Sequence, residues 1–249
     1  MLLAIDAGNT NIKIGVYQGP ELRAKWRLVP EQLDPELLDL FDRSGLNHTE
    51  VEAIIIASVV PQLNDTFKMI SERVLQLTPQ FVDHTTNTGL KLLYDQPSQL
   101  GADRIVDAVA AVEKYGAPCI VVDFGTATTF NAINSKREYL GGIIAPGLMT
   151  AADALFSRAA KLPRVAIERP KNFIGKSTVE AMQSGIFYGY ANLVDGLLEQ
   201  MLHEMKETPK VIATGGLAHV IKDALQFVDD VDENLTLDGL RIIYELNKA

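Results

Sequence analysis

The sequence predicts an α/β fold made of two similar halves, on three observations. Apolar β-branched runs alternate with stretches of helical period. The segment AIDAGNTNIKIGVY, residues 4–17, has a counterpart in VVDFGTATTFNAI, residues 121–133. The elements around these two segments also repeat: superposing Asp6 on Asp123 lays Gly8 on Gly125 and Asn11 on Thr128. The halves join near residue 116, which gives domains 1–115 and 116–249.

LLAID and IKIGVY read as two strands joined by the small-residue turn Ala7 to Asn11. WRLVP, 26–30, reads as a third strand, and EQLDPELLDLFDRSG has the spacing of a short amphipathic helix. EAIIIASVV, 52–60, is compact and β-branched, as a strand covered on both faces would be. A helix is expected from Pro61 through Leu77, and another after GADR, with Ile105, Val109 and Val112 on one face and Gly116 as C-cap. The second half repeats the strand, turn and strand, then adds REYLGGIIAPG as a strand with a glycine turn and a helix from about Leu148. Thr178 to Glu207 reads as a long helix with Met182, Ile186, Tyr190, Leu193, Leu197 and Met201 as its core stripe. VIATGG is a strand ending in a glycine pair, and LTLDGLRIIYELNK is a closing helix.

Composition narrows the function. At 249 residues and 47% hydrophobic content the chain can bury packed cores. No apolar segment approaches the length of a bilayer crossing, so no membrane partner is expected. MLLAID has neither a basic leader nor a cleavage pattern, which points to the cytoplasm. The single cysteine, Cys119, sits among apolar neighbours as a buried thiol. A formal charge of −9 without a basic stripe opposes binding to nucleic acid.

Asp-x-Gly-Asn-Thr is also what an ordinary hairpin turn looks like. Folding does not require a second copy at the matching place, however, and such turns present backbone N–H groups and hydroxyls that suit phosphate oxygens. Each half supplies one acid, Asp6 or Asp123, where a cation bridging phosphates could be held. A cleft between the halves, lined by both turns, would be a nucleotide site. Lys13 could reach the phosphates as a point charge or be a solvated strand lysine.

Other phosphate motifs fail. FIGKST, 173–178, contains the GKS of a P-loop but has Pro170 where the first glycine belongs. GGIIAPG lacks the GxGxxG spacing. His203-Glu204 has no second histidine at zinc-protease spacing.

Together, DAGNTNIKIG, GADR, DFGTATT, GKSTVEAMQSG and ATGGLA, in this order from residue 2 to about 247, resemble the type III pantothenate kinases. The resemblance implies a duplicated actin-like (ribonuclease H-like) two-domain α/β fold with an interdomain nucleotide cleft. It also implies phosphorylation of pantothenate by ATP, the first step toward coenzyme A, with Mg²⁺ and a monovalent cation, K⁺ or NH₄⁺. Carried onto this chain, it puts ATP phosphates along Asp6, Ala7, Gly8, Asn9, Thr10, Asn11, Ile12 and Lys13 and at Thr126, with the monovalent ion near Asp123. Asp103 is implied as catalytic base, with pantothenate held by Tyr94, Gly101, Ala102, Asp103, Arg104 and Thr178. Asn131 departs from the Asp usual in that family, which leaves the second turn's ligand set open.

The chemistry fits these residue types. Phosphoryl transfer needs alignment and charge neutralisation, and an Asp beside the acceptor hydroxyl can take its proton. Arg104 is able to grip a carboxylate with two parallel hydrogen bonds. Each residue also has a bland reading: Asp103 as helix cap, Arg104 as surface ion pair, Thr178 as N-cap, Tyr94 as packing residue. The family implies a homodimer. A kinase for another small acceptor, and a nucleotide-binding regulatory protein of the same fold, are the alternatives.

Overall fold

The computed structural model describes residues 1–29, 32–159 and 162–248. Pro30 and Glu31, the expected junction between the third strand and the first helix, lie outside the described residues. The chain divides into two units, Met1–Glu113 with Asn234–Ala249, and Lys114–Glu233.

In the first unit β1 (Leu2–Ala7), β2 (Ile12–Gln18) and β3 (Glu21–Leu28) form an antiparallel meander. β4 (Ala53–Ser58) lies parallel to the other side of β1, and the two-residue β5 (Gln80–Phe81) extends it, giving the order β3-β2-β1-β4-β5. β1 is buried along its whole length because its pleat feeds two cores. Leu3, Ile5 and Ala7 pack with Phe41 of α1 (Leu33–Arg43) and with Phe67 and Ile70 of α2 (Pro61–Ile70). Leu2 and Ala4 pack on the other face with residues of helices introduced below.

After Ile70 the chain stays helical as a π-helix, Ser71–Leu75, that ends at Gln76 with φ 56°, so the helix expected to Leu77 changes type and stops two residues early. A short β6 (Lys91–Leu92) and a 3₁₀ turn, Pro97–Gln99, lead to α3 (Ala102–Tyr115). Val106 and Val109 of α3 and Leu237, Leu240 and Ile243 of the closing helix cover the second face of β1 and β4. Residues from Asn234 onward therefore belong with the first unit, whereas the division drawn from the sequence put all of 116–249 in the second. The apolar face of that helix is buried by a sheet distant in sequence.

The second unit repeats the plan. β7 (Cys119–Phe124), β8 (Ala127–Ile133) and β9 (Glu138–Pro146) form the meander, and β10 (Lys210–Thr214) and β11 (Asp230–Val231) run parallel to β7 on its other side. The order β9-β8-β7-β10-β11 reproduces β3-β2-β1-β4-β5 strand for strand. α4 (Leu148–Arg158), α5 (Thr178–Met205) and the short α6 (Ala218–Ile221) complete the unit, and α7 (Leu235–Asn247) returns to the first. Cys119 is buried, and burial pushes its thiol up to about 12. Among the described residues no helix is long and apolar enough to cross a membrane.

The stripe expected to be the core of α5 is only partly so. Phe187, Ala191, Val194 and Leu198 are buried with Met182, Tyr190 and Met201, while Ile186 and Leu197 are half-buried and Leu193 is 39% exposed. The helix is apolar on more than one face, so its period alone does not identify the inward one.

Candidate active site

β1 and β4 are parallel, and their carboxyl ends are where a ligand of an open α/β sheet is received. β1 delivers Asp6 and Ala7, the turn Gly8–Asn11 reverses the chain, and β2 returns Ile12 and Lys13. Gly8 N donates to Asn11 O at 3.0 Å to close the turn. Asp6 and Lys13 are register partners, and Lys13 Nζ reaches Asp6 Oδ2 at 3.1 Å. Asn9 and Thr10 are exposed at the tip, whereas Ala7 and Ile12 are core side chains that can offer a ligand only backbone groups.

At the carboxyl end of β4, Val59 N donates to Ala7 O at 3.1 Å. Val59 also lies beside Gly101, which precedes α3: a Cβ on that glycine would be 3.6 Å from Val59 Cγ1. α3 thus brings its N-terminus to the β1 turn. Asp103 is half-buried there, and its Oδ1 accepts from Arg104 N at 2.8 Å. Desolvation, then the charge of Asp6, pushes its carboxyl above the usual value, while the Arg104 amide, the Arg104 guanidinium and Lys13 oppose the shift. Asp6, Lys13, Asp103 and Arg104 therefore form one electrostatic cluster. Arg104 is buried rather than on the surface, and Ala102 is buried in the second core of the first sheet. Tyr94 is half-buried in the loop between β6 and the 3₁₀ turn.

The second unit holds the matching acid. Asp123 is the last but one residue of β7, opposite Thr129, so Thr129 takes the place that Lys13 has in the first unit, and this turn is one residue shorter. Thr128, aligned by sequence with the turn residue Asn11, is instead a buried strand residue hydrogen-bonded to Tyr190. Thr126 is exposed at the turn, its carbonyl accepting from Gly147 N at 3.2 Å and Thr150 Oγ1 at 2.7 Å. Gly215, at φ +93°, follows β10 and presses on the acid: a Cβ there would lie 2.4 Å from Asp123 Oδ1. Asn131 is fully buried and its Oδ1 accepts from Tyr139 O–H at 2.8 Å, so this departure from the family pattern falls in a packed core.

Thr178 is the first residue of α5 and exposed; Ser177 is the cap, its Oγ accepting from Glu180 N at 3.2 Å. The hydroxyl of Thr178 is therefore not spent on capping. It borders an apolar groove of about 620 Å³ between α4 and α5, lined also by Leu148, Leu155, Met182, Ile186 and Leu193. The GKS triplet that mimics a P-loop is explained by packing, since a Cβ on Gly175 would lie 2.3 Å from Ala181 N.

Among the described residues no group of three or more His, Cys, Asp or Glu could cage a metal. The lone carboxylates at Asp6 and Asp103 suit Mg²⁺, which takes most of its ligands from phosphates and water. At Asp123 a hard oxygen lies in a space that any side chain on residue 215 would fill. Val59 was missed in the sequence, although it lies within the β-branched EAIIIASVV run.

Residues 2–200 match the family profile described as type III pantothenate kinase. The type III pantothenate kinase of Halalkalibacterium halodurans is 47% identical over 253 residues, covering 99% of this chain and all of the relative. Among solved structures, a Campylobacter jejuni protein assigned to the Baf family of transcriptional activators superposes with TM-score 0.62 at 21% identity, covering 98% of each chain. Component A of the (R)-2-hydroxyglutaryl-CoA dehydratase of Acidaminococcus fermentans gives 0.58 at 14% identity, covering 98% of this chain and 96% of that one. The structural likenesses show the fold alone, a duplicated actin-like α/β architecture.

Proposed function

Because the chain belongs to the type III pantothenate kinase family, we propose that it transfers the γ-phosphoryl group of ATP to the hydroxyl of pantothenate, the first step toward coenzyme A. The convergence of the Asp6–Lys13 pair and Asp103 at the carboxyl ends of β1 and β4 supports this reading most directly. In it the acceptor oxygen bonds to the γ-phosphorus, the bond from that phosphorus to the β,γ-bridging oxygen breaks, ADP leaves, and Asp103 takes the hydroxyl proton. Such general-base help is worth about 10²–10⁴ in rate. A carboxyl whose proton affinity is raised by burial is better matched to that task than an ordinary aspartate.

The phosphates are held by backbone and side-chain donors from Asp6 to Lys13 and by Thr126. Tyr94, Gly101, Ala102, Arg104 and Thr178 receive pantothenate, with Arg104 able to pair with its carboxylate. Mg²⁺, when bound, neutralises phosphate charge as the leaving group departs. Asp123 would hold a monovalent cation, K⁺ or NH₄⁺, and supply it with a carboxylate oxygen. The reading includes a cytoplasmic homodimer without nucleic-acid partners, for which the formal charge of −9 and the apolar groove beside α5 are the supporting features.

The test is direct. The purified protein, given ATP, Mg²⁺, K⁺ and pantothenate, is expected to form 4′-phosphopantothenate; no product in that mixture, with turnover of another acceptor, would overturn the substrate assignment. Replacing K⁺ by Na⁺ is expected to depress turnover, and sedimentation is expected to give twice the chain mass.

A further inference from the structure

Residue 101 has no side chain, and its backbone does not explain why. Its φ lies outside the left-handed region where glycine is favoured, so alanine could adopt the same conformation. What a side chain would meet is the carboxylate: an ideal Cβ on residue 101 would stand 2.5 Å from Asp103 Oδ1, so that oxygen would have to move. The same oxygen is held from the other side by Arg104 N at 2.8 Å. Gly101 O in turn accepts from Ile105 N at 3.2 Å, which fixes residue 101 as the first link of α3 and prevents it from moving aside cheaply. Val59 Cγ1, 3.6 Å from the same hypothetical Cβ, closes another side.

We propose that Gly101 is a positioning residue for the catalytic base: its missing side chain is the seat of Asp103 Oδ1. With the Arg104 amide it locks the carboxylate so that Oδ1 is the anchored oxygen and Oδ2 the one presented to the acceptor hydroxyl. This rests on Asp103 being the base, and it gives Gly101 a task beyond lining the pantothenate pocket. The chemistry follows from the geometry. An oxygen already accepting from a helix N-terminal amide is the less basic of the pair, so the proton from the alcohol goes to Oδ2 as the oxygen–phosphorus bond forms. A carboxylate displaced by a methyl group on residue 101 would lose both the amide bond and the aim of Oδ2, and a misplacement of about 1 Å costs on the order of 10²-fold in rate.

The test is a double-mutant cycle on the full chain, with Gly101→Ala, Asp103→Ala and the pair together. Gly101→Ala is expected to lower kcat about 10²-fold, with any change in KM for pantothenate much smaller than that, and to lower the melting temperature. In the Asp103→Ala background the same change is expected to alter neither residual turnover nor melting temperature, because the oxygen it collides with is gone. The melting arm reads out even if Gly101→Ala alone folds poorly. A rise in KM for pantothenate at constant kcat, or an equal melting loss in both backgrounds, would overturn the proposal. Asp103→Asn retaining full turnover would instead overturn the base assignment, so the two failures are distinguishable.

Discussion

Lys13 Nζ lies 3.1 Å from Asp6 Oδ2 across the register pair that joins β1 to β2, and the two charges act on Asp103 in opposite senses. Asp6 makes the Asp103 carboxylate harder to form, and Lys13 makes it easier. The ion pair is partly buried, with side-chain exposures of 29% and 12%, so solvent screens it incompletely. The turn proposed to bind phosphate and the proposed base are thus coupled electrostatically in the chain alone.

This coupling has a measurable sign. A base must be deprotonated to accept a proton, so kcat/KM falls as pH drops through the raised pKa of Asp103. Asp6→Asn removes the like charge, and the acidic limb of the pH–rate profile is expected to move to lower pH. Lys13→Met removes the opposing cation, and the limb is expected to move to higher pH. Arg104, the remaining charge acting on Asp103, is untouched in both. The readout is the position of the limb rather than its height, since either change is also expected to weaken ATP binding. Movement of both limbs in one direction would refute the coupling.

Asp103→Asn separates catalysis from stability. The amide keeps an oxygen to accept from Arg104 N and adds no bulk over Gly101. Turnover is expected to fall by about 10²–10⁴. Stability is expected to move the other way at neutral pH. The folded carboxyl binds its proton more tightly than the unfolded one, so the wild-type chain loses stability as pH rises from the usual value of 3.8 through the folded-state pKa. Above both values that loss is complete, and the asparagine variant does not suffer it. Its melting temperature is expected to exceed that of the wild type at pH 7, with the advantage vanishing below about pH 3.8.

Asn131 and Tyr139 offer a control for the second turn. Both side chains are fully buried, and the Tyr139 hydroxyl donates to Asn131 Oδ1 at 2.8 Å. Tyr139→Phe withdraws that donor inside the core and is expected to cost about 1–3 kcal/mol in chemical denaturation. KM for ATP is expected to stay within about twofold, as for a core substitution that removes no ligand. A large rise in KM with unchanged stability would move Asn131 from the core into the nucleotide site.

Much of this was legible in sequence because the repeated turns carry their own local signals. β1 and β7 are near-continuous apolar runs, each ending in Asp-x-Gly, and such runs mark strands covered on both faces wherever they occur. What was not legible depended on partners distant in the chain. Nothing in LTLDGLRIIYELN says which sheet will bury Leu237, Leu240 and Ile243, and the first sheet does. The alignment of Asn11 with Thr128 fails because the second turn is one residue shorter, and in a strand a one-residue offset sends a side chain to the opposite face. Arg104 and Thr178 could each be a ligand or a structural residue in the sequence. Ser177 removes the capping role from Thr178, and the burial of Arg104 removes the surface ion pair.

Gly215 gives the last expectation, which concerns the acid of the second unit. Its φ of +93° is a backbone state that costs alanine roughly 1–2 kcal/mol. A methyl group there would also fall 2.4 Å from Asp123 Oδ1 and 2.6 Å from Phe124 N and O. The strand backbone at Phe124 is held by its ladder with β8, so the turn at residue 215 must shift away from it, and the Asp123 carboxylate, the far end of a side chain, yields as well. Gly215→Ala is therefore expected to lower the melting temperature and, by turning Asp123 away, to raise the K⁺ concentration for half-maximal activity about tenfold or more, the effect of losing a single charged ligand contact. The acidic limb set by Asp103 is expected to stay where it is. In an Asp123→Ala background Gly215→Ala should still cost the backbone part of its stability loss but have no further effect on the response to K⁺. A lowered melting temperature with wild-type K⁺ dependence would make Gly215 a turn residue only and would leave the monovalent ion without its carboxylate.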